Sequence, residues 1–157
     1  MTTRLGLTLA AILGAASVMA PAPAAAQDAG VTGAAEATLP DGATFNGVPL
    51  RGLTLGQGLF IGQDGSATGQ FHVVLLGTSS LGAPQEVVVE GEVRVGSVAA
   101  DGSATFSGTA TVTMGDGTLP LLGVPFTVTA ATGSLGLILG TTALPTATLT
   151  AGSITVQ

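Results

Sequence analysis

Cysteine, tryptophan, tyrosine and lysine are all absent from this chain, and His72 is its single histidine. Each gap closes off some chemistry. Without cysteine there are no disulfides, thiolate nucleophiles or thiolate metal ligands, so the fold must hold by packing and hydrogen bonds alone. Without lysine, Arg51 and Arg94 are the only positive side chains beyond Arg4, against nine acids and a formal net charge of −6. Such a chain cannot neutralise a run of phosphates, which argues against nucleic acid and anionic lipid surfaces as partners. Without tryptophan or tyrosine it has no stacking platform for sugars. It also lacks the aromatic girdles that mark an outer-membrane barrel.

What is present is alternation. From Ser103 to Met114 one set is hydroxylated: Ser103, Thr105, Ser107, Thr109, Thr111 and Thr113. The other set is small or apolar: Ala104, Phe106, Gly108, Ala110, Val112 and Met114. Side chains alternate across a strand, so this stretch predicts an antiparallel strand with one dry face and one wet face. The same residues give no apolar stripe at a period of 3.6, and β-branched threonine suits a pleated surface.

The N-terminal region reads as an export signal. Arg4 supplies the positive end, residues 5–20 form an apolar run, and Pro21 and Pro23 interrupt any helix. Ala24 and Ala26 frame an A-x-A cleavage site before Gln27. The run is short for a bilayer, which needs about 20 residues. This predicts a signal-peptide helix over 1–26, Sec-type export without later membrane insertion, and a secreted or extracytoplasmic product. Residues 27–40 are small and weakly patterned, and read as a flexible leader or a short edge strand. Residues 41–157 form the domain.

Within that domain, Asp-Gly recurs at Asp41-Gly42, Asp64-Gly65, Asp101-Gly102 and Asp116-Gly117. Such pairs favour hairpin turns, because glycine adopts positive φ freely. Asp64-Gly-Ser-Ala-Thr68 is repeated letter for letter at Asp101-Gly-Ser-Ala-Thr105, which reused turns explain without a solenoid. Strands are predicted over 50–61, 70–76, 86–95, 103–114, 125–130, 135–139, 146–150 and 153–156. About eight short antiparallel strands and no helix beyond the signal predict an all-β domain. A β-sandwich is the expected form, with a small closed β-barrel as the alternative. Composition resembles small exported β proteins of alanine- and glycine-rich bacterial proteomes.

Candidate chemistry is sparse. His72 falls on the outer side of its strand, and Asp64 lies across a turn, but no G-x-S-x-G elbow accompanies them. Glu86, Glu90 and Glu92 share one face, about 6.5 to 7 Å apart in sequence steps of two; a solvated face explains them better than a glycosidase pair. None of the Asp-Gly turns carries a second acid close enough for an EF-hand-like loop. No catalytic residue, cofactor or metal is expected. The remaining surface is the hydroxyl face: Thr105, Thr109, Thr111, Thr113, Thr127 and Thr129. Its Thr-x-Thr pattern resembles the surfaces of ice-binding proteins, although solvation of a lysine-free sheet accounts for it. The expected function is a non-catalytic structural or interaction module, its partner a protein of the envelope or extracellular space. The alternative is a small barrel that binds an apolar ligand.

Overall fold

The computed structural model describes residues 28–157. The signal-peptide reading, with Ala24, Ala26 and Gln27 as its cleavage site, lies outside them. Ten strands follow in chain order: β1 (Ala29–Thr38), β2 (Thr44–Phe45), β3 (Val48–Ile61), β4 (Ser66–Thr78) and β5 (Pro84–Val98). Then come β6 (Ala104–Thr113), β7 (Leu121–Ala131), β8 (Ser134–Leu139), β9 (Thr142–Ala143) and β10 (Ala147–Val156). All pairings are antiparallel.

The decisive pairing is made by β1, which bonds to β3 on one side and to β10 on the other. With β3-β4-β5-β6-β7-β8-β10 hydrogen-bonded in succession, the sheet returns to its start. The eight long strands therefore form an up-and-down barrel, whose join between β8 and β10 rests on two residue pairs, Ala147–Leu135 and Thr148–Ser134. This corrects the expected sandwich in favour of its alternative. It also corrects the flexible leader: residues 29–38 form a full-length strand, because its small side chains, Ala35 and Ala37 among them, fit a tightly curved seam. Residues 146–150 and 153–156, expected as two strands, belong to one strand with an irregularity opposite Glu36 and Ala37.

The interior is aliphatic and aromatic. Ala104, Phe106, Ala110, Val112 and Met114 of the alternating stretch are all buried, and the hydroxyl set lies on the other face. Leu53, Leu55, Leu59 and Ile61 of β3, and Phe71, Val73 and Leu75 of β4, point inward as their spacing predicts. At the waist, Phe71 stacks on Phe126 with ring centroids 5.3 Å apart, and meets Phe106 edge-on at 5.8 Å. Glycine makes room for these rings. A Cβ at Gly91 would approach the Phe126 ring to 2.6 Å. Eight strands leave an interior that side chains can fill, and here they fill it. Alternation of Val87, Val89 and Val93 along β5 would carry Val95 inward as well, yet it is 53% exposed. A register shift between Val93 and Val95 moves the inward phase to Gly96, as a bulge does.

The two ends differ. Residues 39–47 fold over one end, where Leu39, Ala43, Phe45, Leu50 and Leu144 are buried. Asn46 and Gly47, both at positive φ, turn the small β2–β3 hairpin there; a reading centred on Asp-Gly passes over this Asn-Gly signal. Gln85, itself buried, donates Nε2–H to the Met114 carbonyl at 2.8 Å and ties two strands together at that end. The other end carries the turns 62–65, 99–103 and 132–133, and no described segment folds over it.

One interior group is out of keeping. Gln57 lies on the inward face of β3, and among the described residues neither atom of its amide has a hydrogen-bond partner. A buried amide without a partner is costly, so Gln57→Met should raise stability by about 1–2 kcal/mol in urea unfolding. Phe71→Ala should lower it by about 3–5 kcal/mol in the same assay, since it removes the ring on which both others pack.

Candidate functional site

The concavities of the described surface include one on the outer wall and one at the open end. The wall groove has a volume of about 520 Å³. Its sides are Gln70 and His72 of β4, Glu90 and Glu92 of β5, and Thr109 and Thr111 of β6. Register sets their order. His72 lies opposite Glu90, and Glu90 opposite Thr111, while Gln70, Glu92 and Thr109 form the row beside them. A nucleophile–base–acid relay needs the histidine in the middle. Here the carboxylate occupies the middle, and His72 stands two strand spacings, about 9.5 Å, from Thr111. Among the described residues no hydrogen bond or ion pair joins His72 to Glu90; Glu92 pairs instead with Arg94 at 3.6 Å. Glu86 lies farther along β5 and outside the groove.

The threonine face divides between features. Thr105 and Thr129 are register partners, with their hydroxyls 3.3 Å apart, and Thr127 is opposite Ser107. Thr109 and Thr111 belong to the wall groove instead, and Thr113 ends β6 opposite Val88. The threonines of β10 are separated from these by β8. Closure curves the wall, so the hydroxyl pattern spans two adjacent strands rather than a broad plane.

At the open end, the turns after β3 and β5 are built alike. In each, a glycine at positive φ (Gly65, Gly102) donates its N–H to the residue three before it at 3.0 Å. The aspartate of each turn is occupied by its own loop: Asp64 Oδ1 accepts from the Ser66 N–H at 2.9 Å and hydroxyl at 2.6 Å. Asp101 does the same with Ser103, and Asp116, at the other end, with Thr118. These turns explain the repeated pentapeptide as reused loop chemistry. Among the described residues no three metal-ligating side chains cluster.

The two turns and the first residues of β1 enclose an apolar cleft of about 570 Å³. Ala29, Ile61, Val98 and Val156 give it aliphatic walls, and Ala99 and Ala100 form part of its rim. Asp28 closes one side and accepts the Gln63 N–H at 3.1 Å. The adjoining turn is pinned by the Gly96 N–H, which donates to the Gly65 carbonyl at 3.0 Å. Sequence reading missed this cleft because its lining comes from four chain segments that only barrel closure assembles. Comparison with protein-family models, curated proteins and solved structures finds no match.

The turn aspartates carry a pH dependence. Hydroxyl and then backbone hydrogen bonds hold the Asp64, Asp101 and Asp116 carboxyls below the usual aspartate range. A carboxyl lowered by folding stabilises the fold above its unfolded value, and the contribution is lost as pH falls through the lowered one. Ser66→Ala, Ser103→Ala and Thr118→Val together should therefore make the acid limb of unfolding midpoint against pH shallower below about pH 4. An unchanged limb would show that the hydroxyl bonds add nothing.

Proposed function

We propose that this is an exported, non-catalytic β-barrel that acts as a binding module, and that its working surface is the apolar cleft at the open end. The supporting observation is the asymmetry of the barrel. One end is covered by Leu39, Phe45 and Leu144, whereas the other presents about 570 Å³ of aliphatic concavity. That volume is in the range of small-molecule sites, about 300–1,000 Å³. The packed interior keeps the ligand at the mouth, unlike a barrel that encloses its ligand centrally.

Export is supported by the N-terminal composition, and a non-catalytic role by the order of His72, Glu90 and Thr111 across the wall. The surface outside the barrel is dominated by threonine, serine and glutamate around an apolar interior, the reverse of a membrane barrel's faces. A second reading, contact with an envelope protein, draws on Leu81, Leu119 and Leu122. These leucines stand 94%, 87% and 77% exposed at the covered end, Leu81 and Leu119 on the β4–β5 and β6–β7 loops and Leu122 at the start of β7.

Fractionation of expressing cells should place the protein outside the cytoplasm. That protein should bind a neutral, environment-sensitive apolar dye at one site. Ala100→Trp, at an exposed turn position, should fill the cleft and weaken the dye about 10-fold or more without moving the unfolding midpoint. Dye binding that survives this change but is lost in Leu81→Ser/Leu119→Ser/Leu122→Ser would move the working surface to the covered end.

A further inference from the structure

We infer that the mouth takes a small cationic amphiphile: an aliphatic group, without extended aromatic rings, carrying a protonated amine. The inference rests on the mouth being the working surface and goes on to its ligand. The cleft decides the apolar part, and charge around it decides the rest.

No aromatic side chain lines the cleft. Flat rings would have no stacking partner there, and a cation would have no aromatic face to hold it. The walls suit flexible or compact aliphatic groups instead.

Three carboxylates surround this same opening. Asp28 is part of the lining, and Asp64 and Asp101 sit within the two turns whose neighbours form the rim. Each uses Oδ1 for hydrogen bonds within the protein. Among the described residues no protein donor bonds their Oδ2 atoms. Among the described residues no positive side chain lines the cleft. Arg51 is near the start of β3, at the covered end, and Arg94, two residues before the lining residue Gly96, pairs with Glu92 on the outer wall. The potential at the mouth is therefore negative over an apolar floor, a combination that attracts an amine head while its aliphatic tail leaves water. The same field repels fatty acids and phosphorylated ligands.

The test is displacement of the neutral dye, at low ionic strength and pH 7, by three compounds of equal chain length: decylamine, decanol and decanoate. The amine should compete best, by about 5- to 30-fold over the alcohol, and the advantage should shrink as salt is raised. Asp28→Asn/Asp101→Asn should remove that advantage, read as the ratio of amine to alcohol competition so that any change in dye affinity cancels. Asp116→Asn breaks the same kind of turn contact at the covered end and should leave the preference intact, separating charge from loop geometry. Equal competition by all three compounds, or a preference insensitive to the Asp28 and Asp101 changes, would overturn the cationic assignment and leave the mouth as the binding surface. Failure of all three to displace the dye, with Ala100→Trp also without effect, would overturn both the assignment and the mouth itself.

Discussion

The seam made by β1 is the constraint on which this molecule turns. Ten residues of small side chains bond on one side to β3 and on the other to β10. At its outermost step Gly30 and Gln157 exchange two backbone hydrogen bonds, 2.8 and 2.9 Å long. Without that strand, β3 and β10 would be two exposed edges, each a row of unpaired donors and acceptors open to another chain. With it, β3 is covered along its length and β10 gains a full-length neighbour, while the far edge of β10 beyond Thr148 keeps, among the described residues, the single backbone bond from Leu149 to Gly133. Closure also fixes the interior volume. Three phenylalanines occupy the waist because Gly91 and Gly108 leave their inward positions empty, and Phe126 takes the space.

Much of the wall was legible in the chain, because a period of two is a local property. The inward set of 103–114, and those of β3, β4 and β8, need only their own residues to be read. The Asp-Gly turns are equally local, and the glycines of all four adopt positive φ. What escaped reading is long-range. Sandwich and barrel share the same alternation and differ in whether the first strand meets the last, a pairing between residues more than a hundred positions apart. β1 itself was illegible because Ala-Gly-Val-Thr-Gly-Ala-Ala offers almost no contrast between its faces; its neighbours, more than its own pattern, make it a strand. Val95 was misplaced for a related reason: a one-residue bulge reverses every facing after it and leaves no mark in composition.

The candidate site was less legible than the fold. The threonines stood out because they repeat, yet the barrel spreads them over separate features: a ladder between β6 and β7, one side of the wall groove, and the end of β6. The cleft left no such pattern, since Ala29, Ile61, Val98 and Val156 are ordinary aliphatic positions until closure gathers them. Repetition along a chain reports how strands are built. Convergence of distant segments reports where a ligand can sit.

The distribution of polarity then restricts what such a molecule can do. An interior packed with aliphatic and aromatic groups holds no charged side chain among the described core residues, and its one unpartnered amide, Gln57, lies within that packing rather than along the cleft. Charged and hydroxyl groups are therefore confined to the outer wall and the rims. On the wall they stand at register positions one strand apart, a spacing that suits solvation and leaves His72 too far from Thr111 to serve it as a base. At the rim they surround an apolar surface instead. Asp28, Asp64 and Asp101 are exposed, so their charges act through solvent and weaken as salt is raised. In the proposed reading, the mouth is where this chain's few charged groups and its aliphatic surface meet the same ligand.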